Sequence, residues 1–131
     1  MDLKLMGRVA VITGPAKGMG AAITRAFAAE GTHVALIGRD TDAIAPVAEE
    51  ARSKGAQAIV VPCDITDPAQ CDGAAQKTKS AFGRIDIPVN VAGGSGPIGK
   101  TGVDTTPEEF DAIIDLNMAG CFHTIAASYP S

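Results

Sequence analysis

An eight-residue stretch near the amino terminus most constrains what this chain can fold into: T-G-P-A-K-G-M-G, from Thr13 to Gly20. A short apolar run at residues 9–12 precedes it and predicts a strand covered on both faces in a parallel sheet. Apolar residues then recur at helical spacing up to Glu30-Gly31 and predict a helix: Met19, Ala22, Ile23, Ala26 and Phe27. Glycines at such a turn allow a tight bend and close ligand approach, and the unpaired N–H groups of the helix attract an anion. We therefore expect a dinucleotide pyrophosphate at this turn.

The order of strand, turn, helix and glycine stop recurs along the chain and predicts βαβ units with right-handed crossovers. This pattern predicts a doubly wound, Rossmann-like α/β domain over residues 1–131, with a parallel sheet in the order 3-2-1-4. The ligand crevice should then open between the carboxyl ends of strands one and four. The predicted strands are residues 8–13, 33–37, 58–61 and 85–91, and the predicted helices are residues 18–30, 41–54, 67–82 and 106–126.

Two prolines conflict with these elements. Pro46 removes a backbone donor from the second helix, so we expect that helix to start late or to bend. Pro88 falls in the fourth strand, which should be central, where it forfeits a ladder hydrogen bond.

Composition excludes several classes of protein. The net charge is −4 and the 11 lysines and arginines are scattered, so no basic stripe for nucleic acid is present. No apolar run approaches the ~20 residues of a membrane span, and the first residues do not open a signal peptide, so we expect a cytoplasmic protein. The three cysteines lack C-x-x-C spacing, and neither a disulfide framework nor a metal site is predicted.

A second glycine-rich segment, Gly94 to Thr101, matches the phosphate-binding loop G-x-x-x-x-G-K-T of ATPases letter for letter. That loop needs a helix beginning at its lysine and threonine. Thr106-Pro107 instead places the next helix start several residues later. We therefore keep an ATPase only as a remote alternative.

The spacing T-G-x-x-x-G-x-G and the segment Asn90-Val91-Ala92-Gly93 carry a family resemblance. Both resemble motifs of the short-chain dehydrogenase/reductase family, although Val91 replaces the second asparagine of its N-N-A-G. The resemblance implies hydride transfer between a nicotinamide cofactor and a small carbonyl or alcohol substrate. It also implies a tyrosine as general acid/base, a lysine that lowers the pKa of that tyrosine, and a serine that orients the substrate.

The end of the second strand bears on the choice of cofactor. Gly38 occupies the position where an acidic residue would meet the ribose 2′-hydroxyl of NAD. Arg39 and Lys17 could instead flank a 2′-phosphate, a pairing that resembles the family's NADP-preferring pattern. We therefore favour NADP(H) over NAD(H). The alternative is that both cations are solvated surface charges and that Asp40 turns inward.

The resemblance also assigns site residues. Asp64 should accept from the adenine amino group while Ile65 covers the ring, although Asp64 could be a turn or cap residue. Asn90 should bond neighbouring backbone and hold the fourth strand open. The expected cofactor-binding residues are Gly14, Lys17, Gly18, Met19, Gly20, Arg39, Asp64, Ile65, Asn90, Ala92 and Gly93.

Asn117 is the expected catalytic residue. It falls on a predicted apolar face of the fourth helix with Phe110, Ile113, Ile114, Cys121 and Ile125. A buried amide needs partners, so Asn117 could be a satisfied structural residue. By resemblance, its backbone carbonyl holds a water in the proton relay to the catalytic lysine.

The resemblance covers essentially all 131 residues but only the cofactor-binding half of the family fold. Tyr129 cannot begin a Y-x-x-x-K motif, so we expect a domain truncated after the fourth helix and inactive by itself. The alternative is a catalytically inactive module that binds a nucleotide or a partner. An uncovered strand edge and helix face would favour a homo-oligomer.

Overall fold

In a computed structural model, which describes residues 1–129, four parallel strands form one sheet in the order β3-β2-β1-β4. The predicted α/β fold and strand order are confirmed. Pro130 and Ser131, the end of the predicted domain, lie outside the described residues. The strands are β1 (Val9–Thr13), β2 (His33–Gly38), β3 (Ala58–Pro62) and β4 (Ile87–Asn90). The helices are α1 (Gly18–Ala29), α2 (Thr41–Ser53), α3 (Pro68–Phe82), α4 (Pro107–Ile114) and α5 (Gly120–Ser128).

The register aligns the carboxyl ends of the strands at one edge of the sheet. Thr13, the last residue of β1, lies beside Ile37 of β2 and Asn90 of β4. Alternate residues of β1 enter two different cores. Ala10 and Ile12 pack with α1 and α2 on one face, and Val11 packs with α3 on the other. Burial on both faces explains why this strand is an uninterrupted apolar run.

The second helix does not start late, which was one of the two outcomes expected from Pro46. α2 begins at Thr41 and continues through Pro46. Its amino terminus is held by Asp40, whose Oδ1 accepts a hydrogen bond from Ala43 N at 3.1 Å. The loss of one bond at the proline is offset by burial of Val47 and the neighbouring apolar side chains of the same face.

The apolar residues that predict α1 are not its most buried ones, although Ile23 and Phe27 pack partly buried against the core. Met19 is 70% exposed, and small residues face the sheet instead. The buried residues are Gly20, Ala21, Thr24 and Ala28. The reason is the close approach of α1 to the turn before it, which leaves no room for a large side chain at Gly20.

The predicted fourth helix is interrupted. A 3₁₀ turn (Gly102–Asp104) precedes α4, and a π turn (Asp115–Ala119) separates α4 from α5. The predicted apolar face is not a core face, since Phe110 is 58% and Ile125 is 50% exposed. Gly120, Thr124 and Ser128 are the buried residues of α5. Gly120 determines which face of α5 is buried, because it packs against Ile65 so closely that a Cβ there would lie 2.6 Å from Ile65 Cδ1.

Candidate functional site

A cleft of about 720 Å³ opens at the carboxyl edge of the sheet, where the loops after all four strands meet. Six of the predicted cofactor residues line it: Gly14, Arg39, Asp64, Ile65, Ala92 and Gly93. The remaining lining residues are Pro15, Ala16, Ile37, Gly38, Asp40, Ile44, Cys63 and Leu116. The crevice thus lies at the predicted position, and three of its apolar wall residues were not marked by the motifs: Ile37, Ile44 and Leu116.

The glycine turn packs tightly against its surroundings. Gly14 has φ +64, and a Cβ there would lie 2.8 Å from Ala92 N in the loop after β4. A Cβ at Gly20 would lie only 1.9 Å from Gly14 O. Both glycines are therefore required for close backbone approach, and they hold α1 directly behind the turn that lines the cleft.

Five of the predicted residues do not line this cleft: Asn90, and the four at the start of α1, which are Lys17, Gly18, Met19 and Gly20. Lys17 precedes α1 and is exposed, and the other three form the first turn of the helix. Backbone N–H groups of this turn, not side chains, are what the turn can offer to an anion.

Thr13 is a site residue that the sequence reasoning missed. Its Oγ1 accepts hydrogen bonds from Val91 N at 3.1 Å and Ala92 N at 3.2 Å, and it contacts Val89 O at 3.5 Å. The residue is 1% exposed. This buried hydroxyl ties the end of β1 to the loop after β4. A threonine directly before the first glycine of the turn was the available signal.

Asn90 does not bond neighbouring backbone as expected. Its side-chain oxygen accepts a hydrogen bond from the Thr124 hydroxyl of α5, and Thr13 bonds the neighbouring backbone instead. Asn90 therefore links β4 to α5 beneath the cleft, and it does not line the cleft itself.

Arg39 and Asp40 follow β2 and have different surroundings. Asp40 caps α2, since its Oδ1 accepts a hydrogen bond from Ala43 N, and it also lines the cleft. Arg39 is exposed and lines the cleft. Arg39 is the cation at this end of the cleft, because Lys17 is not among the lining residues.

Asp64 is both a turn residue and a cleft residue. Its Oδ1 accepts from Thr66 Oγ1 at 2.7 Å and from Thr66 N at 2.9 Å. These bonds hold the pKa of Asp64 below its usual value, with a smaller contribution from the charge of Arg39. Within residues 1–129, Oδ2 has no hydrogen-bond partner and remains free to accept from a ligand.

Cys63 forms part of the apolar wall. Burial raises the pKa of its thiol to about 12. The thiol therefore stays protonated at neutral pH and supplies no nucleophile.

Asn117 lies in the π turn and is exposed, contrary to its predicted place on a buried face. Its amide is nevertheless satisfied. Oδ1 accepts from Gly94 N at 3.0 Å, and Nδ2 donates to Gly94 O at 2.7 Å and Ile113 O at 3.0 Å. Gly93 packs closely against the same side chain, since a Cβ at this position would lie 2.5 Å from Asn117 Oδ1. The side chain thus positions the loop that closes one side of the cleft.

The segment Gly94 to Thr101 lacks the surroundings of an ATPase loop. Lys100 Nζ binds Glu109 Oε1 at 2.6 Å. Among the described residues, no α-helix begins at Lys100, and α4 starts only at Pro107. Glu109 completes the capping box of α4 with Thr106, so Lys100 ties the loop to that helix.

We predict that Lys100→Ala leaves dinucleotide affinity within about threefold, which is under ~1 kcal/mol, because the Lys100 ammonium binds Glu109 outside the cleft. Calorimetric titration of the variant measures this. A hundredfold loss, or ATP hydrolysis that the substitution abolishes, would support the ATPase alternative instead.

Two features are absent from residues 1–129. No group of three histidine, cysteine, aspartate or glutamate side chains in this range could hold a metal ion. No helix there has the length and apolar character needed to cross a membrane.

The chain was compared with known proteins. The family model for short chain dehydrogenases matches residues 8–131. The chain belongs to the short-chain dehydrogenase family. An uncharacterized oxidoreductase of Staphylococcus saprophyticus is 38% identical over 131 residues, which cover 98% of this chain and 55% of that protein. The chain therefore spans about half the length of this relative.

Solved structures of family members show the same fold. A metagenomic short-chain oxidoreductase in complex with NADP is 34% identical, with a TM-score of 0.86 over 94% of this chain and 55% of the other. NAD+-bound xylitol dehydrogenase is 30% identical, with a TM-score of 0.87 over 95% of this chain and 48% of the other. The short-chain dehydrogenase fold is thus one that binds nicotinamide dinucleotides.

Proposed function

We propose that residues 1–131 form the dinucleotide-binding domain of an NAD(P)-dependent short-chain dehydrogenase that transfers hydride between nicotinamide and a small carbonyl or alcohol. The observation that carries this proposal is the packing of Gly14 against Ala92. It brings the glycine turn that precedes α1 and the loop after β4 to one cleft. Such a crevice at the carboxyl ends of parallel strands is the usual ligand site of this architecture.

Each side of the cleft has a proposed role. The first turn of α1, Gly18 to Gly20, binds the pyrophosphate through its N–H groups. Asp64 Oδ2 accepts from the adenine amino group, and Ile65 covers the ring. Ala92 and Gly93 leave room for the nicotinamide, which supplies the hydride when bound.

Asn117 has two proposed roles. Its side chain positions Gly94 through the paired amide bonds, and its backbone carbonyl holds the relay water. The proton itself needs another group. The one tyrosine of these residues is Tyr129, and no Y-x-x-x-K motif lies within them, so they supply the cofactor site without the tyrosine and lysine of the reaction.

The cofactor preference follows from the end of β2. Family members of known structure include an NADP complex and an NAD complex, so the preference must come from this chain's own residues. Gly38 offers no carboxylate to a 2′-hydroxyl, and the carboxylate of Asp40 is used as a helix cap. Arg39 offers a guanidinium beside the cleft. We therefore propose that NADP(H) binds more tightly than NAD(H).

Arg39→Ala tests this preference. We expect NADPH affinity to fall about tenfold or more, because a charge-assisted bond to the 2′-phosphate contributes roughly 1.5–3 kcal/mol. NADH affinity should stay within about twofold. Fluorescence titration of both cofactors measures the difference, with Arg25→Ala as control because Arg25 pairs with Glu50 outside the cleft. Equal losses for both cofactors would show that Arg39 does not read the 2′-phosphate.

We also propose that the chain self-associates through an apolar stripe on α4, the π turn and α5. Its members recur every three or four residues and are 36% to 74% exposed: Phe110, Ile114, Met118, Phe122, Ile125 and Tyr129. On an α-helix with 3.6 residues per turn, side chains four residues apart are rotated by about 40° around the helix axis. The π turn has more residues per turn, and it reduces part of that rotation. Surfaces of this kind are typical of interfaces.

The charges along this segment favour an antiparallel pair of copies. Glu108, Glu109, Asp111 and Asp115 all lie in its first half, so a two-fold axis near its middle keeps the acidic ends apart. Sedimentation velocity is expected to show a dimer or a higher oligomer at micromolar concentration. A monomer at all concentrations would contradict this proposal.

A further inference from the structure

Gly38, the last residue of β2, has no room for a side chain. A Cβ built there would lie 2.7 Å from Ile44 Cδ1, whereas the next atom of that side chain, Cγ1, lies 3.9 Å away. Contacts under 3.0 Å are essentially never made by real Cβ atoms. Pro15 Cδ, on the glycine turn, is 4.0 Å from the same point. A single methyl group of Ile44 therefore fills the place that a side chain at position 38 would take.

Ile44 is held where it is. The residue is 2% exposed and belongs to the core that also contains Leu36 and Val47. It lies in the first turns of α2, whose amino terminus is fixed by Asp40 through bonds from Ala43 N and from Ile44 N at 3.2 Å. Ile44 also lines the cleft, so a Cβ at position 38 requires a rotamer change of its side chain that the packing on the core side restricts.

We propose that Ile44 is a specificity-determining residue for the cofactor, an inference that rests on the proposed function. Position 38 is where an acidic side chain would reach the ribose 2′-hydroxyl. Because a side chain at position 38 would have to displace the Ile44 methyl, Arg39 is left as the group that contacts the 2′ substituent. The preference against NAD(H), whose ribose carries a free 2′-hydroxyl, thus depends on a core residue as well as on the exposed Arg39.

A double-mutant cycle on the protein without ligand tests the steric part. Gly38→Ala is expected to lower the melting temperature by about 4 °C or more when Ile44 is present. The same substitution should have almost no effect in an Ile44→Val background, because valine lacks only the Cδ1 atom. Gly73→Ala is the matched control, since nothing lies within 4 Å of its Cβ position. Its effect should be the same in both backgrounds.

The cycle has clear outcomes. If Gly38→Ala lowers the melting temperature only when Ile44 is present, the proposal is supported. Equal changes in the two backgrounds, including no change in either, would overturn it.

Cofactor titration tests the specificity part. Gly38→Asp alone is expected to weaken both NADPH and NADH, because the new side chain displaces Ile44 and disturbs the cleft. Gly38→Asp with Ile44→Val should bind NADH about tenfold or more tightly than Gly38→Asp alone and should lose its preference for NADPH.

Two failures can be distinguished in this titration. If wild-type protein binds neither cofactor, the proposed function fails and the specificity role fails with it. If wild-type protein binds NADPH but Gly38→Asp alone gains NADH affinity as well as the double variant does, only the role of Ile44 is overturned.

Discussion

Gly20→Ala is expected to abolish dinucleotide binding and to lower the free energy of unfolding by about 3 kcal/mol or more. A Cβ at this position would lie 1.9 Å from Gly14 O, 2.8 Å from Gly14 C and 2.9 Å from Pro15 Cα. All three are backbone atoms, so no side-chain rotation relieves the overlap. α1 would have to move away from the turn, and its N–H groups would move away from the cleft.

Urea unfolding followed by circular dichroism measures the stability change, and NADPH titration measures binding. Gly73→Ala in the middle of α3 is the control, because its Cβ position is open. That substitution should stabilise the protein by roughly 0.5–1 kcal/mol, since alanine is favoured over glycine in a helix interior. Wild-type stability and affinity in Gly20→Ala would contradict the packing described for the turn.

The second large effect concerns catalysis. The 131 residues are expected not to reduce carbonyl compounds, because hydride transfer without a proton donor leaves an unprotonated oxyanion. A positioned general acid contributes on the order of 10² to 10⁴ in rate, and no Y-x-x-x-K motif is present in these residues. The loss of the serine and lysine roles should remove most of what remains.

Absorbance of NADPH with a panel of ketones and aldehydes measures this activity. No oxidation above the rate without protein is expected, while NADPH still binds. Turnover of any carbonyl substrate by the isolated chain would contradict the prediction. It would mean that Asn117 or Tyr129 carries chemistry not assigned here.

The fold was largely predictable because its signals are local. The apolar run of β1 and the glycines of the following turn lie within a dozen residues, and Asp67-Pro68 marks the start of α3 in the same way. Strand order followed because crossovers between parallel strands have one hand. Gly83, with φ +81, ends α3 where the sequence placed the stop.

The interruption of the fourth helix was not predictable from periodicity. It depends on distant contacts, since Gly120 lies against Ile65 and His123 Nδ1 is 2.9 Å from Ile65 O. The identity of the most buried residues of α1 depends on a similar contact. Its helix periodicity does not show that Gly20 touches Gly14, a contact that puts the smallest residues against the sheet.

Parts of the candidate site depended on hydrogen bonds that a motif does not specify. The sequence did not predict that Asp40 caps α2. Asn90 finds its partner on α5, more than thirty residues later in the chain. Ile44 is a core residue by pattern, and only the geometry of Gly38 shows that it also shapes the cleft.

The central claim is that the cleft between the Gly14 turn and the loop after β4 binds a nicotinamide dinucleotide. The most direct measurement is calorimetric titration of the intact 131-residue chain with NADPH and ATP, repeated for Gly14→Ala. A Cβ at Gly14 would lie 2.8 Å from Ala92 N. We expect saturable NADPH binding with one site per chain, no comparable ATP binding, and loss of the NADPH signal in a variant that remains folded by circular dichroism. Absence of NADPH binding to the folded wild-type chain, or unchanged binding to Gly14→Ala, would contradict the claim.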